Sequence, residues 1–522
     1  MNRLLLLPCT RSRDFHAPLP ASLRSLPSPR RGEGDAASRL REVSTTRRNC
    51  AVFVSRAAPL PVAGATTLSP PGRGFWPLRG RRASFLSALR VTNSSAIARV
   101  INSSAIALSV LLAIAPRATY AQGQVSADIT KGLATVGVAV PFPQLDPTLS
   151  PDVIGTPFFA SLQRDLAISG VFRLVALPPY TAPSIETAGT AGAQAFLQLS
   201  MRREGEEIVV ESRLFDVKTK TVQIQPRRYR GTEAALTRMA HTLANDLVRY
   251  FNGQPGIFMT QIAFVSSRDG AKEIYLMDYD GSSQRRITSH RTLALNPDWS
   301  PDNDRLVYTA FGKESSDLFI VNRRGGGRLR ITTGVGLNTS ATFSPDGKEI
   351  AFVGSVRGNP DIYVIRDDGS GMRRLTSASS IESTPSWSPT GRQIAFTSSR
   401  NGTPQIFVMD AEGSNVRRIS FDGDWNDDAV WSPKGDFLAY TSRVDGRFQI
   451  RIMDMASTES RIIAGEGSNE QPAWSPDGRF IVFMSNRSGK WQIYRVGSDG
   501  RDLLQLTTQG DNSAPDWSKT LE

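Results

Sequence analysis

An aromatic-serine dipeptide recurs to the end of the chain, at Trp299-Ser300, Phe343-Ser344, Trp387-Ser388, Trp431-Ser432, Trp474-Ser475 and Trp517-Ser518, with spacings of 44, 44, 44, 43 and 43 residues. A fixed period of about 40–45 residues with turn and strand signals in each unit specifies a β-propeller. Within one unit, Pro345-Asp346-Gly347 suits a tight turn, because proline pre-sets φ and glycine accepts positive φ. Ile350–Val353 then forms a short apolar strand, Arg357–Pro360 a polar turn, Ile362–Ile365 a second strand, Asp367–Gly369 a turn and Arg373–Thr376 an outer strand. With the strand carrying the aromatic residue, each unit has four strands, one blade. Apolar runs begin at Ile262, Leu306, Ile350, Ile394, Leu438 and Ile481. The first has no aromatic-Ser turn before it, and Trp517 has no run after it. Pairing the C-terminal strand beside the one at Ile262 closes a six-bladed ring with no free edge.

The net charge of +13 would suggest nucleic acid or acidic lipid as a partner, but the charge is confined to one end. Residues 1–121 hold 18 Arg, no Lys and 4 acidic residues, a balance of +14, and the rest of the chain sums to −1. No nucleic-acid role is expected. Both cysteines, Cys9 and Cys50, lie in that first part. Within it, Ala105–Ala115 is an apolar run preceded by Arg90 and Arg99 and ending at Thr119-Tyr120-Ala121. That pattern predicts a signal peptide over about 100–121, cleaved after Ala121. The Arg-, Pro- and Ser-rich stretch before it has no sustained periodicity and is expected to be a disordered or mis-assigned leader. Met201 is the first methionine after Met1, so a non-Met start near Val91 or Val100 is one explanation.

The expected organisation is therefore a leader at 1–121, a small α/β domain with an extended tail at 122–253, and the propeller at 257–522. Ser150-Pro151-Asp152 predicts a helix start, Ile154, Phe158, Leu162 and Leu166 share one face, and Gly170 stops the helix. Thr135–Val140, Val171–Val175, Phe196–Met201, Ile208–Phe215 and Thr221–Gln225 read as strands. A second helix, with Thr232 as its cap, carries Leu236, Met239, Leu243, Leu247 and Phe251 at helical spacing before Gly253. The linker Gln254-Pro255-Gly256 is short enough for the two parts to touch.

Enzyme signatures are sparse. After residue 121 there are two histidines, His241 and His290, both expected at the surface, and no H-E-x-x-H or G-x-S-x-G motif. The run Asp422–Asp428 resembles the start of a calcium loop but has Asp427 at the glycine position and Pro433 at the closing acid, so no metal or cofactor is expected. The polar residues leading into the aromatics, Asn338-Thr339-Ser340, Glu382-Ser383-Thr384, Asn426-Asp427-Asp428, Asn469-Glu470-Gln471 and Asn512-Ser513-Ala514, occupy one place in each blade. They should gather at one mouth of the central channel, where a docking surface and an ordinary solvated rim are equally compatible with the spacing.

The arrangement also resembles a known family. Val138–Phe142, Asp152–Gly155, Asp165–Phe172 and the helix leading to Phe251-Asn252-Gly253, followed by six aromatic-Ser blades, resemble the TolB family, the periplasmic component of the Tol-Pal system of Gram-negative envelopes. The resemblance covers Gln122 to the C-terminus. It implies a non-enzymatic, monomeric adaptor in the periplasm that supports outer-membrane integrity and invagination during cell division. It further implies that the channel mouth binds the Pal lipoprotein through Asn338, Thr339, Ser340, Glu382, Ser383, Thr384, Asn426, Asp427, Asp428, Asn469, Glu470 and Gln471. The tail, Gln122, Gln124, Val125, Ser126, Ala127, Asp128 and Ile129, would engage TolA, with other outer-membrane proteins as further partners. Two other classes fit a propeller: a peptidase-like hydrolase, and a glycan binder for which Trp425 is the one obvious aromatic at the mouth.

Overall fold

In the computed structural model, residues 135–522 are described except 180, 314, 333–335, 356–357 and 522. The predicted leader, signal peptide and tail segment Gln122–Ile129 lie outside the described residues. No described helix is long and apolar enough to cross a membrane.

The first part is a mixed sheet with strands β1 (Val136–Ala139), β2 (Gln144–Leu145), β3 (Phe172–Leu174), β4 (Ala195–Glu204), β5 (Glu207–Asp216) and β6 (Val222–Gly231). Their order is β3-β1-β4-β5-β6, with β2 beside the far end of β4. β1 is parallel to β3 and β4, and β4-β5-β6 is an antiparallel meander. Pro226 sits in β6, an edge strand, where its missing N–H breaks no ladder.

Helices α1 (Thr156–Ile168), α2 (Ile185–Thr190) and α3 (Leu236–Asn252) complete this part. The predicted start of α1 at Ser150 holds, since its hydroxyl accepts from the Val153 amide at 3.4 Å, but the first turn is a wide π turn over Pro151–Gly155. Thr232 does not cap α3: its side chain makes no capping bond, and a 3-10 turn at Glu233–Ala235 leads into the helix instead. Phe158, Leu162 and Leu166 of α1 and Met239, Leu243 and Leu247 of α3 recur at helical spacing and are buried against the sheet.

The second part is a six-bladed propeller of four-stranded antiparallel sheets. The innermost strands are Asn512–Trp517, Leu293–Trp299, Asn338–Phe343, Glu382–Trp387, Asn426–Trp431 and Asn469–Trp474 for blades 1 to 6. As expected, blade 1 closes the ring by joining the two ends of the propeller: Asn512 pairs with Ser266 and Trp517 with Ile262. Beyond that ladder, Ser518 N donates to Gln261 O and Leu521 N to Met259 O. The repeated serine organises its own turn, with Ser344 Oγ donating to Asp346 Oδ1 at 2.7 Å and accepting from Glu349 N at 3.0 Å. The aromatic residues pack between blades, and the indole N–H of Trp474 reaches Val430 O in the preceding blade at 3.2 Å.

The α/β region is not a loosely tethered neighbour. One hydrophobic core runs from Phe158, Leu162 and Leu247 through Phe258 into Tyr279 of blade 1 and Phe480 of blade 6. Arg479 caps α1 from the propeller side, donating to Ser169 O and, at 2.9 Å, to Ile168 O. A Cβ on Gly170 would stand 2.6 Å from that guanidinium, and φ there is +69°, so glycine is required for two reasons.

Candidate functional site

Every innermost strand carries an extra residue opposite its partner, a bulge that disturbs the ladder midway along the strand. At the bulge stand Asn296, Ser340, Thr384, Asp428, Gln471 and Ala514, all non-glycine residues with φ between 46° and 56°. Left-handed backbone at six equivalent non-glycine positions is strain held in place by the surrounding sheets. All six residues line the central cavity, which has a volume of about 1190 Å³.

The innermost strands fix the polarity of this channel. They end at the aromatic-Ser turns, where Ile168, Ser169, Val248 and Asn252 of the α/β region also line the cavity. The opposite mouth, where these strands begin, is the one that faces away from the α/β region.

The bulge sorts the expected site residues into three groups. Asn338, Glu382, Asn426 and Asn469 do not face the channel, because they are buried and consumed in ties, between blades for the three asparagines and within blade 4 for Glu382. Asn338 Nδ2 donates to Ser316 O at 3.0 Å, Asn426 Nδ2 to Gln405 Oε1 at 2.9 Å and Asn469 Nδ2 to Gln449 Oε1 at 2.9 Å, while Glu382 takes Arg400. Thr339, Ser383, Asp427 and Glu470 are half-buried, and Asp427 Oδ1 accepts from Thr384 at 3.0 Å and Thr397 at 2.7 Å. Ser340, Thr384, Asp428 and Gln471 reach the cavity wall.

The channel is acidic. Burial, with Asp427 and Glu470 close by, pushes the Asp428 carboxyl well above the usual carboxylate range, and burial raises Glu470 as well. Asp298 and Asp516 form a second acidic pair on adjacent blades, which the sequence reading did not single out. Asp298 accepts from the Phe343 amide at 2.8 Å and Thr342 Oγ1 at 3.1 Å; Asp516 accepts from the Trp299 amide at 2.7 Å. Burial pushes Asp516 up to about 7, and burial with the charge of Asp516 raises Asp298. The available signal was the residue before each aromatic, which is Asp only at Asp298-Trp299 and Asp516-Trp517.

Three expectations are corrected. His241 is not on the surface but 2 % exposed, because the polar side of α3 is covered by blade 1. Its Nδ1 donates to Asp165 Oδ2 at 2.7 Å, Tyr279 donates to the other Asp165 oxygen, and Arg164 pairs with Asp280 at 2.6 Å. Burial first, then the Asp165 charge, pushes the Tyr279 phenol well above its usual range. His290 is half-buried, bonded through Nε2 to Tyr308 at 2.7 Å and set edge-on against Phe319. Trp425 does not line the cavity; it packs edge-on against Phe448 with Arg443 over its ring. Among the described residues no group of three or more His, Cys, Asp or Glu is placed to hold a metal ion.

These features agree with the comparisons to known proteins. The Tol-Pal system protein TolB of Geobacter sulfurreducens is 36% identical over 153 residues, 28% of this chain and 35% of its own. That of Syntrophotalea carbinolica is 35% identical over 218 residues, covering 38% and 48% of the two chains. The chain thus spans about a third to a half of the length of these curated relatives. The crystal structure of TolB from Acinetobacter baumannii superposes with a TM-score of 0.63 at 25% identity, covering 74% of this chain and 97% of that one. The sequence model of the TolB beta propeller domain matches residues 248–521, more than half of the chain, which therefore belongs to the TolB family.

Proposed function

We propose that the chain is a periplasmic, non-enzymatic component of a Tol-Pal system that binds the Pal lipoprotein at the mouth of the channel facing away from the α/β region. The observation that carries this reading is the joint match of both parts, α/β region and propeller, to nearly the whole of a solved TolB. The ring of strained residues at equivalent places in six blades, polar in five of them, supports it, since strain of this kind is retained where a rigid scaffold presents side chains to a partner. The tail Gln122–Ile129 would engage TolA after export and cleavage behind Ala121, and the linked assembly would support outer-membrane integrity and invagination at division.

Ser340 lines the cavity and makes no interblade tie, so Ser340→Arg crowds the channel at little cost to the fold. Titration calorimetry with lipid-free Pal should show at least a tenfold loss of affinity, about 1.4 kcal/mol, with the unfolding temperature unchanged. Full affinity in a folded variant would remove the channel mouth from the reading.

A further inference from the structure

Three blades share a device in the hairpin between their second and third strands, a Ser-x-Arg unit: Ser266 and Arg268 in blade 1, Ser398 and Arg400 in blade 4, Ser485 and Arg487 in blade 6. In each, arginine Nε donates to the serine Oγ, at 2.9, 2.9 and 3.0 Å. Each guanidinium lies over two aromatic rings, Phe264 and Tyr275, Phe396 and Phe407, or Phe483 and Tyr494. In blades 4 and 6 its far nitrogen ends on the first residue of the innermost strand: Arg400 on Glu382, and Arg487 Nη2 on Asn469 Oδ1 at 2.9 Å.

Blade 5 has the same acceptors without the arginine. Its hairpin reads Ser442-Arg443-Val444, with valine where the other blades have arginine. Arg443 is drawn outward by Asp424, with contacts of 3.1 and 2.6 Å, and lies over Trp425. Asn426 is otherwise tied in as Asn469 is, its Nδ2 donating to Gln405 Oε1 at 2.9 Å and Asp422 O at 2.7 Å. Yet Asn426 Oδ1 and Ser442 Oγ, on two fully buried residues, make no hydrogen bond. Buried acceptors left unpaired are costly, and these two are the ones that a Ser-x-Arg guanidinium takes in blade 6.

The acceptors lie directly beneath an exposed glycine. Gly423 is exposed, and the point where its Cβ would stand lies 3.1 Å from Ser442 Oγ and 3.8 Å from Asn426 Oδ1. In blades 1 and 6 the corresponding glycines, Gly510 and Gly467, abut the backbone of Arg268 and Arg487. Gly423 opens onto a groove of about 560 Å³ that Asp424 and Asp445 also line.

We propose that blade 5 takes an arginine side chain from a partner protein, bound as blade 6 binds its own Arg487. The incoming guanidinium donates to Ser442 Oγ and Asn426 Oδ1 and lies against Tyr440, the ring cross-strand from Arg451. Arg451 replaces the second ring of the other blades, and its charge is set against Asp422 at 3.7 Å. The groove carries Arg443 and Arg451 as well as Asp424 and Asp445; Asp424 is taken by Arg443, which leaves Asp445 as the carboxylate that can meet an incoming cation. Lysine, a compact and strongly hydrated point charge without a planar fork, matches this pair of acceptors and the face of Tyr440 less well.

The test uses the full chain and two probes, acetyl-Gly-Arg-Gly-amide and its lysine counterpart, followed by amide chemical shifts. The arginyl peptide should shift Gly423 and Ser442 and bind about tenfold more tightly than the lysyl one. Ser442→Ala, which removes an acceptor and little volume, should weaken it about tenfold, and Val444→Arg should compete for the slot from within. Equal response to both peptides, no response to either, or undiminished binding by Ser442→Ala would overturn the proposal. Because neither probe is Pal, the result is independent of whether the channel mouth binds Pal.

Discussion

The two ends of the propeller channel are built on opposite principles. At the end facing the α/β region, polar and charged groups are paired: the buried Asp165 serves His241 and Tyr279, Arg164 meets Asp280, and Arg479 closes the C-terminus of α1. From the middle of the channel outwards, strained residues stand at the bulges, five of the six with polar side chains, around an acidic stretch. The first end is spent on holding two folded parts as one body. The second is kept open, and strain there is sustained by the ring around it.

The contrast is broken most severely by Asp165→Ala. The carboxylate is fully buried and is the common acceptor for a side chain from α3 and one from blade 1. Its loss leaves an imidazole and a phenol without their partner, a defect that costs about 3–5 kcal/mol in comparable buried pairs. Urea unfolding should register that loss and split the single transition, as the α/β region releases before the propeller. A loss below about 1 kcal/mol with one transition retained would show that the shared apolar core alone joins the parts.

The acidic pair within the channel sharpens the comparison through pH. Asp516 has its pKa raised by burial to about 7 from an ordinary value of 3.8. Between these values the folded chain holds a proton that the unfolded chain has released. Stability from this group is therefore full below about pH 4, falls as pH rises towards 7, and is constant above that, with a slope of up to about 1.4 kcal/mol per unit. Asp516→Asn keeps an acceptor for the Trp299 amide and removes the proton, so it should flatten that part of the stability profile. An unchanged slope would assign the titration to another group.

How far the fold was legible follows from the same contrast. The period of the aromatic-Ser phrase carried blade number, strand order and the closure of Trp517 beside Ile262, because each blade repeats one local solution. The apolar faces of α1 and α3 were legible for the same reason, as spacing along one element. His241 was not, because what buries it, Tyr279 and Asp280, comes from a hairpin of the propeller rather than from its own helix. The site was legible only as a zone. Strict alternation assigns no place to a bulge, and Ser340, Thr384 and Gln471 give no hint of positive φ as glycine would. Without that extra residue, Asn338 and Asn469 look as open to the channel as Ser340 and Gln471; with it, they turn into the blades.

The smallest effect tests whether the strained ring is costly at all. Ala514 has φ of 48° and no side-chain polar group, so its conformation serves no hydrogen bond of its own side chain. Ala514→Gly relieves a left-handed penalty of roughly 1–2 kcal/mol for an L-residue, and loses roughly 0.4–1 kcal/mol through the freer unfolded chain. A net gain of about 0.5 kcal/mol is expected in chemical denaturation, the difference between those two effects. The amide of residue 514 still donates to Gln471 Oε1, at 2.9 Å in the parent, so the tie to blade 6 survives the change. A net loss would mean that the surrounding sheets already hold the bulge without strain, and the ring would then differ from the junction only in its polarity.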